Sequence, residues 1–222
     1  MRTAQFARHE SSTRPSGSDQ ALPLVYIVDD DVAARESLES LVWSAGWEPR
    51  GFSSAAEFLG RARAFVPRCL ILDASLPDLD GLALQERVAA DDADIVVIFV
   101  STHADVATVV RAMKGGATEF FAKPFRDDLL LNAVADAIEQ SRSALARSTE
   151  RRMLRERYES LSPRESQVLR LVVAGRLNKQ VADELAISEI TVKAHRGKMM
   201  RKMKARSMPD LVRIVAKLGL DA

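Results

Sequence analysis

The chain has 222 residues, which at roughly 100 to 200 residues per domain is enough for two domains. Its 47% hydrophobic and 28% charged residues are typical of a soluble globular protein, and no apolar run is long enough to predict an integral membrane protein. The single cysteine, Cys69, excludes an intramolecular disulfide framework and favours a reducing, cytoplasmic environment.

Charge divides the chain into two parts of opposite sign. Residues 22–140 carry 10 basic and 20 acidic side chains, a net charge of −10, whereas residues 161–222 carry 13 and 6, a net charge of +7. An acidic part is expected to bind cations, and a basic part is expected to bind polyanions if its charges cluster. We predict an N-terminal flexible tail without a secretory signal, an acidic domain, a helical linker and a basic domain, at residues 1–22, 23–140, 141–160 and 161–222.

The acidic domain is predicted to alternate strands with helices. Apolar runs such as LVYIV and IVVIFV predict strands, and apolar residues at helical spacing predict the segments between them. The predicted strands are 24–28, 48–52, 69–72, 95–100 and 118–121, and the predicted helices are 32–45, 54–63, one starting at 82, 105–114 and 126–140. Strands that are apolar throughout must be buried on both faces, which predicts an α/β fold with a doubly wound, five-stranded parallel sheet.

Polar residues follow the predicted strands where each one ends. Asp29 and Asp30 follow the first strand, Asp73 the third, Ser101 the fourth and Lys123 the fifth. The carboxyl ends of parallel strands meet at one edge of a sheet, so three carboxylates converge where a hard cation would find oxygen ligands, and Mg²⁺ is the natural candidate. Asp73 would then be a nucleophile that forms an acyl phosphate, with Lys123 and Ser101 contacting the phosphoryl oxygens.

Residues 24–140 resemble a two-component receiver domain, a flavodoxin-like fold. The resemblance lies in the segments IVDDD, LILDASLPDLDG, VST and FFAKPF. It implies that a sensor histidine kinase phosphorylates Asp73, and that Mg²⁺ is held by Asp29, Asp30, Asp73 and the main-chain carbonyl of Ser75. It also implies that Phe120 turns inward as Ser101 moves, and that the Lys123–Pro124 peptide bond is cis.

A phosphatase of the haloacid-dehalogenase type is a rival interpretation of a strand-end aspartate with Mg²⁺. Such enzymes need a second aspartate two residues after the nucleophile, as a general acid. That position is Ser75 in this chain. Without a general acid to turn over an outside substrate, we predict that the protein is not an enzyme.

The basic domain is predicted to be all-helical. Ser162, Pro163 and Glu165 form a helix-start pattern with a capping box, and Gly175 is a stop signal. A second helix is predicted with Asn178 as its N-cap and a third after Ser188, which is helix-turn-helix spacing.

The third helix of this domain is expected to bind DNA. It is expected to pack through Val192, Met199 and Met203, with His195 at the border. The stripe expected to face DNA is Glu189, Lys193, Arg196, Gly197 and Met200. Small residues at 194 and 197 would let the backbone approach a groove, Lys193 would reach base acceptors, and Lys198, Arg201 and Lys202 would reach phosphates.

The segment LSPRESQVLRLVVAGRLNKQVADELAISEITVKAHRGKMMRKM resembles the LuxR-type DNA-binding domain. Joined to a receiver, it resembles the FixJ/NarL group of response regulators. The resemblance implies base contacts by Lys193, Ala194 and Gly197, and phosphate contacts by Asn178, Lys179, Thr191 and His195. It also implies pairing of two domains through a last helix at 209–218, and therefore a pseudo-palindromic operator.

The sequence therefore predicts a cytoplasmic transcription regulator. Activation is the commoner outcome in this group, so an activator is expected. Phosphorylation at Asp73 would promote homodimerisation and specific DNA binding, with RNA polymerase as a further partner and no role for a membrane. The alternative is a DNA-binding protein that acts without phosphorylation and uses its receiver as a protein-interaction module. The operator, the stimulus, the cognate kinase and the lifetime of the phosphoryl group stay open.

Overall fold

The computed structural model describes residues 21–220, so most of the predicted tail lies outside the described residues. Within them, five strands and nine helices follow one another along the chain. The order is β1 Leu24–Val28, α1 Val32–Ser44, β2 Glu48–Phe52, α2 Ala55–Leu59, β3 Arg68–Leu72, α3 Gly81–Asp91, β4 Ile95–Ser101, α4 Val106–Lys114, β5 Glu119–Ala122, α5 Asp127–Glu159, α6 Pro163–Val173, α7 Asn178–Leu185, α8 Glu189–Met203 and α9 Met208–Lys217. In this part of the chain, no helix has both the length and the apolarity to cross a membrane.

The five strands form one parallel sheet in the order β2-β1-β3-β4-β5. Each face of the sheet carries its own hydrophobic core. Successive residues of β1 divide between the two, since Val25 and Ile27 belong to one core and Leu24, Tyr26 and Val28 to the other. This burial on both faces explains the unbroken apolar runs, and it confirms the predicted α/β fold class.

Two helices of the sheet domain end more than one residue away from their predicted ends. Helix α2 stops at Leu59 instead of 63, because Gly60 caps it and the Arg61 guanidinium lies over the Phe58 ring and binds Asp92, 2.9 Å away. Helix α5 does not stop at 140 but continues to Glu159, so residues 141–159 extend the last helix of the sheet domain. Strand β3 begins one residue earlier than predicted, at a fully buried Arg68.

The C-terminal part is all-helical, as predicted. Helix α6 begins with the predicted capping box: the Ser162 hydroxyl accepts a hydrogen bond from the Glu165 amide, and the Glu165 carboxylate accepts one from the Ser162 amide. The predicted N-cap of α7 is wrong. Leu177 occupies that position, its amide donates to the Gln180 side chain, and Asn178 is the first helical residue, with its side chain bonded to Arg196.

Candidate functional site

The carboxyl edge of the sheet brings Asp29, Asp73 and Lys123 together. Val28 of β1 lies beside Leu72 of β3, so the aspartates that follow these strands are neighbours. The Lys123 ammonium donates to Asp29 Oδ2 at 2.6 Å and to Asp73 Oδ2 at 2.8 Å. Both aspartates are buried, at 1% and 6% exposure. One amine therefore bridges two buried carboxylates.

The second oxygen of Asp73 is held by two further donors. The Ser75 amide donates to Asp73 Oδ1 at 2.9 Å, and the buried Ser101 hydroxyl donates to the same atom at 3.2 Å. The His103 amide donates to the Ser101 oxygen at 3.2 Å, which leaves the hydroxyl proton free to point at the carboxylate. Three donors thus hold the side chain of Asp73 in one orientation.

Charge in this pocket is unbalanced. Burial works to lower the pKa of Lys123, but its hydrogen bonds to Asp29 and Asp73 outweigh that effect and raise the pKa, so the amine stays charged. Two carboxylates face this one amine, and the exposed Asp30 follows Asp29 in the sequence. The residual negative charge and the oxygen-rich donors fit a divalent cation. Across residues 21–220, however, no three acidic, histidine or cysteine side chains are gathered closely enough to hold a metal ion.

The remaining residues predicted for the pocket lie around it. Ser75 is exposed, and it contacts Asp73 through its amide. Phe120 is half-buried on β5, and its ring stacks on that of Phe99 with centroids 5.7 Å apart. The Lys123–Pro124 peptide bond is cis, as the resemblance implies.

Two residues that shape this pocket are not predicted from the sequence. The Arg35 guanidinium donates to the main-chain carbonyl of Asp29 at 2.6 Å. A Cβ on Gly81 would lie 2.5 Å from the carbonyl oxygen of Asp73, so a side chain there would displace the backbone of the nucleophile. The helix-capping Asp80 directly before Gly81 is the one local signal that α3 starts beneath this loop.

The second candidate site is the exposed face of α8. Of the predicted DNA contacts, Lys179, Lys193, Ala194, Lys198 and Arg201 are exposed, while Asn178, Thr191, His195 and Gly197 are half-buried. The predicted packing side is confirmed, because Val192, Met199 and Met203 are fully buried.

The outward face of α8 differs from the predicted stripe. Arg196 binds the Asn178 side chain and Met200 packs against the core, so both are half-buried. At about 100° per residue, the direction opposite the buried Met199 is that of Ile190, with Gly197 and Arg201 within about 20° of it. The face open to a ligand is therefore centred on Ile190, Gly197 and Arg201, with Lys193 and Ala194 on its sides.

A doubly wound sheet with a paired-aspartate, serine and lysine pocket, followed by a helix-turn-helix unit, defines a response regulator. Comparison with known proteins gives the same class. Residues 25–135 match the response regulator receiver domain family, and residues 159–215 match the luxR family of bacterial regulatory proteins.

Relatives share this two-domain organisation over nearly their whole length. The chain is 46% identical to Nodulation protein W of Bradyrhizobium diazoefficiens over 90% of this chain and 88% of that protein. It is 48% identical to the response regulator protein TodT of Pseudomonas putida, with the same coverage. The structure of the response regulator StyR matches with a TM-score of 0.76 and 42% identity, over 89% of this chain and 100% of that one. The chain belongs to the response regulators that join a receiver domain to a LuxR-type DNA-binding domain, and it is a transcription regulator.

Proposed function

We propose that a sensor histidine kinase phosphorylates Asp73 in the cytoplasm, and that phosphorylation promotes homodimerisation and sequence-specific DNA binding that activates transcription by RNA polymerase. The single observation that carries this proposal is the geometry of Asp73. Its two carboxylate oxygens are held by Lys123 and Ser101, the two side chains that would contact a phosphoryl group.

In the transfer step, an Asp73 carboxylate oxygen forms a bond to phosphorus while the phosphorus–nitrogen bond to the kinase histidine breaks. The imidazole leaves with the electron pair of that bond. The Lys123 ammonium then neutralises charge on the phosphoryl oxygens, and the Ser101 hydroxyl donates to one of them. Mg²⁺ would be held by Asp29, Asp30, Asp73 and the Ser75 carbonyl, and when bound it supplies further neutralisation of that charge.

The surface next to the pocket supports the proposed dimerisation. The Ser101 hydroxyl lies at the end of β4, and four residues separate it from α4. On α4, Val106, Val110 and Met113 are spaced as one stripe and are 78%, 44% and 43% exposed. A solvent-exposed apolar stripe is typical of a surface that is buried in another state of the protein, here the proposed dimer. Movement of Ser101 toward a phosphoryl group, with Phe120 turning inward, would reposition this stripe.

The DNA-binding domain would carry out the response to phosphorylation by binding the operator. We propose that Lys193, Ala194 and Gly197 face bases, and that the phosphates are contacted by Asn178, Lys179, Thr191, His195, Lys198 and Arg201. Asn178 would have to exchange its bond to Arg196 for a phosphate. Pairing of two domains through α9 would place the recognition helices on a pseudo-palindromic operator.

The test compares wild type with Asp73→Asn, which keeps the shape of the side chain and removes the nucleophile. Genome-wide footprinting first identifies the operator. With Mg²⁺ and acetyl phosphate, the wild type should gain about 80 Da, form dimers and bind this operator at least tenfold more tightly, and chelation of Mg²⁺ should prevent all three. Asp73→Asn should show none of these changes.

Asp91→Asn is the matched control, because Asp91 is exposed at the end of α3 and should leave the response intact. Equal operator affinity and dimer content in wild type and Asp73→Asn, with and without the phosphodonor, would instead favour the phosphorylation-independent interaction module.

A further inference from the structure

Ile190, on the first turn of α8, is the most exposed large hydrophobic side chain in residues 21–220. It is 80% exposed, although apolar β-branched residues are usually buried. The turn that carries it is well defined, because the Ser188 hydroxyl accepts a hydrogen bond from the Thr191 amide at 3.1 Å. Ile190 belongs to neither the predicted packing side nor the predicted DNA side of this helix.

Helix geometry places Ile190 on the surface proposed to face DNA. Residues three, four and seven positions after it, which are Lys193, Ala194 and Gly197, share its face. That surface is open near its centre, since a Cβ added to Gly197 would meet only the end of the Arg201 side chain, 3.7 Å away. A duplex that approaches Lys193 and Gly197 closely must therefore also cover Ile190.

An apolar side chain at this place calls for an apolar group on the DNA. The edges of the bases in the major groove carry hydrogen-bond donors and acceptors, and the C5 methyl group of thymine is the one apolar group among them. Residues at the N-terminal end of a recognition helix are those that reach base edges. A β-branched side chain also has few rotamers, so little entropy is lost when it is fixed against a methyl group.

We propose that Ile190 is a specificity-determining residue that selects one thymine in each half-site through contact with its C5 methyl group. This inference rests on the proposed binding of α8 in the major groove. It adds an apolar base contact to those proposed for Lys193, Ala194 and Gly197. Lys193 would hydrogen-bond to a neighbouring base, and Ile190 would distinguish thymine from the bases without this methyl group.

The test replaces each thymine of the footprinted operator in turn by uracil, which removes only the methyl group. For the wild type, replacement at one position in a half-site should weaken binding about fourfold, the equivalent of one buried methyl group. Ile190→Ala should bind the unmodified operator more weakly by a similar factor and should lose nothing further when that thymine becomes uracil. Non-additivity of this kind identifies a direct contact between two groups.

Lys193→Ala is the control on the same face of the helix. It should weaken binding to every operator and keep the response to uracil at the thymine assigned to Ile190. Because Ile190 is exposed, its alanine variant should unfold at the wild-type temperature, so loss of folding would not explain the result.

Three outcomes would overturn the proposal. They are no uracil effect in the wild type, an undiminished uracil effect in Ile190→Ala, and unchanged DNA binding of Ile190→Ala with reduced transcription, which would assign the residue to a polymerase contact. Failure to footprint any DNA would instead count against the proposed function itself.

Discussion

Glu165 joins two helices of the DNA-binding domain although it is an acidic residue in a basic domain. The residue is 4% exposed, and its carboxylate accepts hydrogen bonds from the Ser162 amide at 2.9 Å and from the Lys202 ammonium at 2.7 Å. Lys202 also donates to the Ser160 carbonyl, so the start of α6 is tied to the last turn of α8. The bond from Lys202, followed by that from the Ser162 amide, lowers the pKa of Glu165.

Glu165→Gln should destabilise the start of α6 by about 1 to 2 kcal/mol at pH 7, because a charge-assisted hydrogen bond is lost. A lowered pKa in the folded state means that the stabilisation is complete above the ordinary pKa of 4.5 and is lost as pH falls through the lower folded value. The difference between the two proteins should therefore shrink below pH 4.5. Amide exchange of α6 peptides, measured from pH 7 down to about pH 3, follows this difference through the range in which it shrinks.

The exposed Glu184 of α7 supplies the control for that measurement, and Glu184→Gln should exchange like wild type at each pH. If the destabilisation of α6 in Glu165→Gln stayed constant with pH, its cause would be the changed shape of the side chain and not the loss of its charge.

The sequence predicts the main pocket residues because each follows the end of an apolar strand, and parallel strands place such residues at one edge. Arg35 and Gly81 escape prediction for different reasons. The role of Arg35 depends on where a long side chain reaches from α1, and that of Gly81 on how closely the N-terminus of α3 approaches the Asp73 carbonyl. Neither is a local property of the sequence.

Helix α5 is held against the receiver by a buried ionic network at the amino edge of the sheet. Arg68 is fully buried and binds Asp92 at 2.8 Å, while Arg63 bridges Asp92 and Asp94. Helix α5 joins this network through two serines. Ser141 accepts from the Arg68 amide and donates to the Asp94 carbonyl, and Ser148 donates to the Asp94 carboxylate at 3.1 Å. Contact with the receiver thus extends two turns beyond the predicted helix end.

Ser148→Ala should loosen this part of α5 without unfolding the receiver. Loss of one hydrogen bond to a carboxylate, about 1 kcal/mol, should speed amide exchange of residues 145–155 about fivefold. Ser143→Ala is the matched control, because Ser143 is exposed on the same helix and gains the same helix propensity from alanine. Equal exchange rates in the two variants would show that the bond to Asp94 does not hold the helix.

Local sequence patterns predict most boundaries of the helices and strands. They fail where contacts between distant residues determine the boundary. The capping box of α6 is a property of four consecutive residues and is predicted correctly. The length of α5 is not predicted correctly, because its polar second half is stabilised by Asp94 and by the packing of Leu154 against the second domain. The outward face of α8 is misjudged for the same reason, since Arg196 turns toward Asn178 on another helix.

At the scale of the whole molecule, α5 connects the two domains without a free stretch. Its contacts with the receiver reach Ser148. Its contacts with the DNA-binding domain start at Glu150, whose carboxylate binds Lys217 of α9 at 2.6 Å, and continue with Leu154 in the second domain's core. The segment predicted as a linker is therefore part of one continuous helix, whose first half contacts the receiver and whose second half contacts the DNA-binding domain.

If α5 acts as a rigid connector, a change of its helical phase should disrupt binding by a dimer. One alanine inserted between Ser148 and Thr149 should rotate the DNA-binding domain by about 100° and shift it by about 1.5 Å. In a phosphorylated dimer the two recognition helices would then not face their half-sites together, and affinity for the full operator should fall at least tenfold toward that of one half-site. Affinity for an isolated half-site should stay at the wild-type value. Seven inserted alanines restore the phase to within about 20° and should recover part of the loss, whereas wild-type binding by the one-alanine variant would mean that α5 works as a flexible tether.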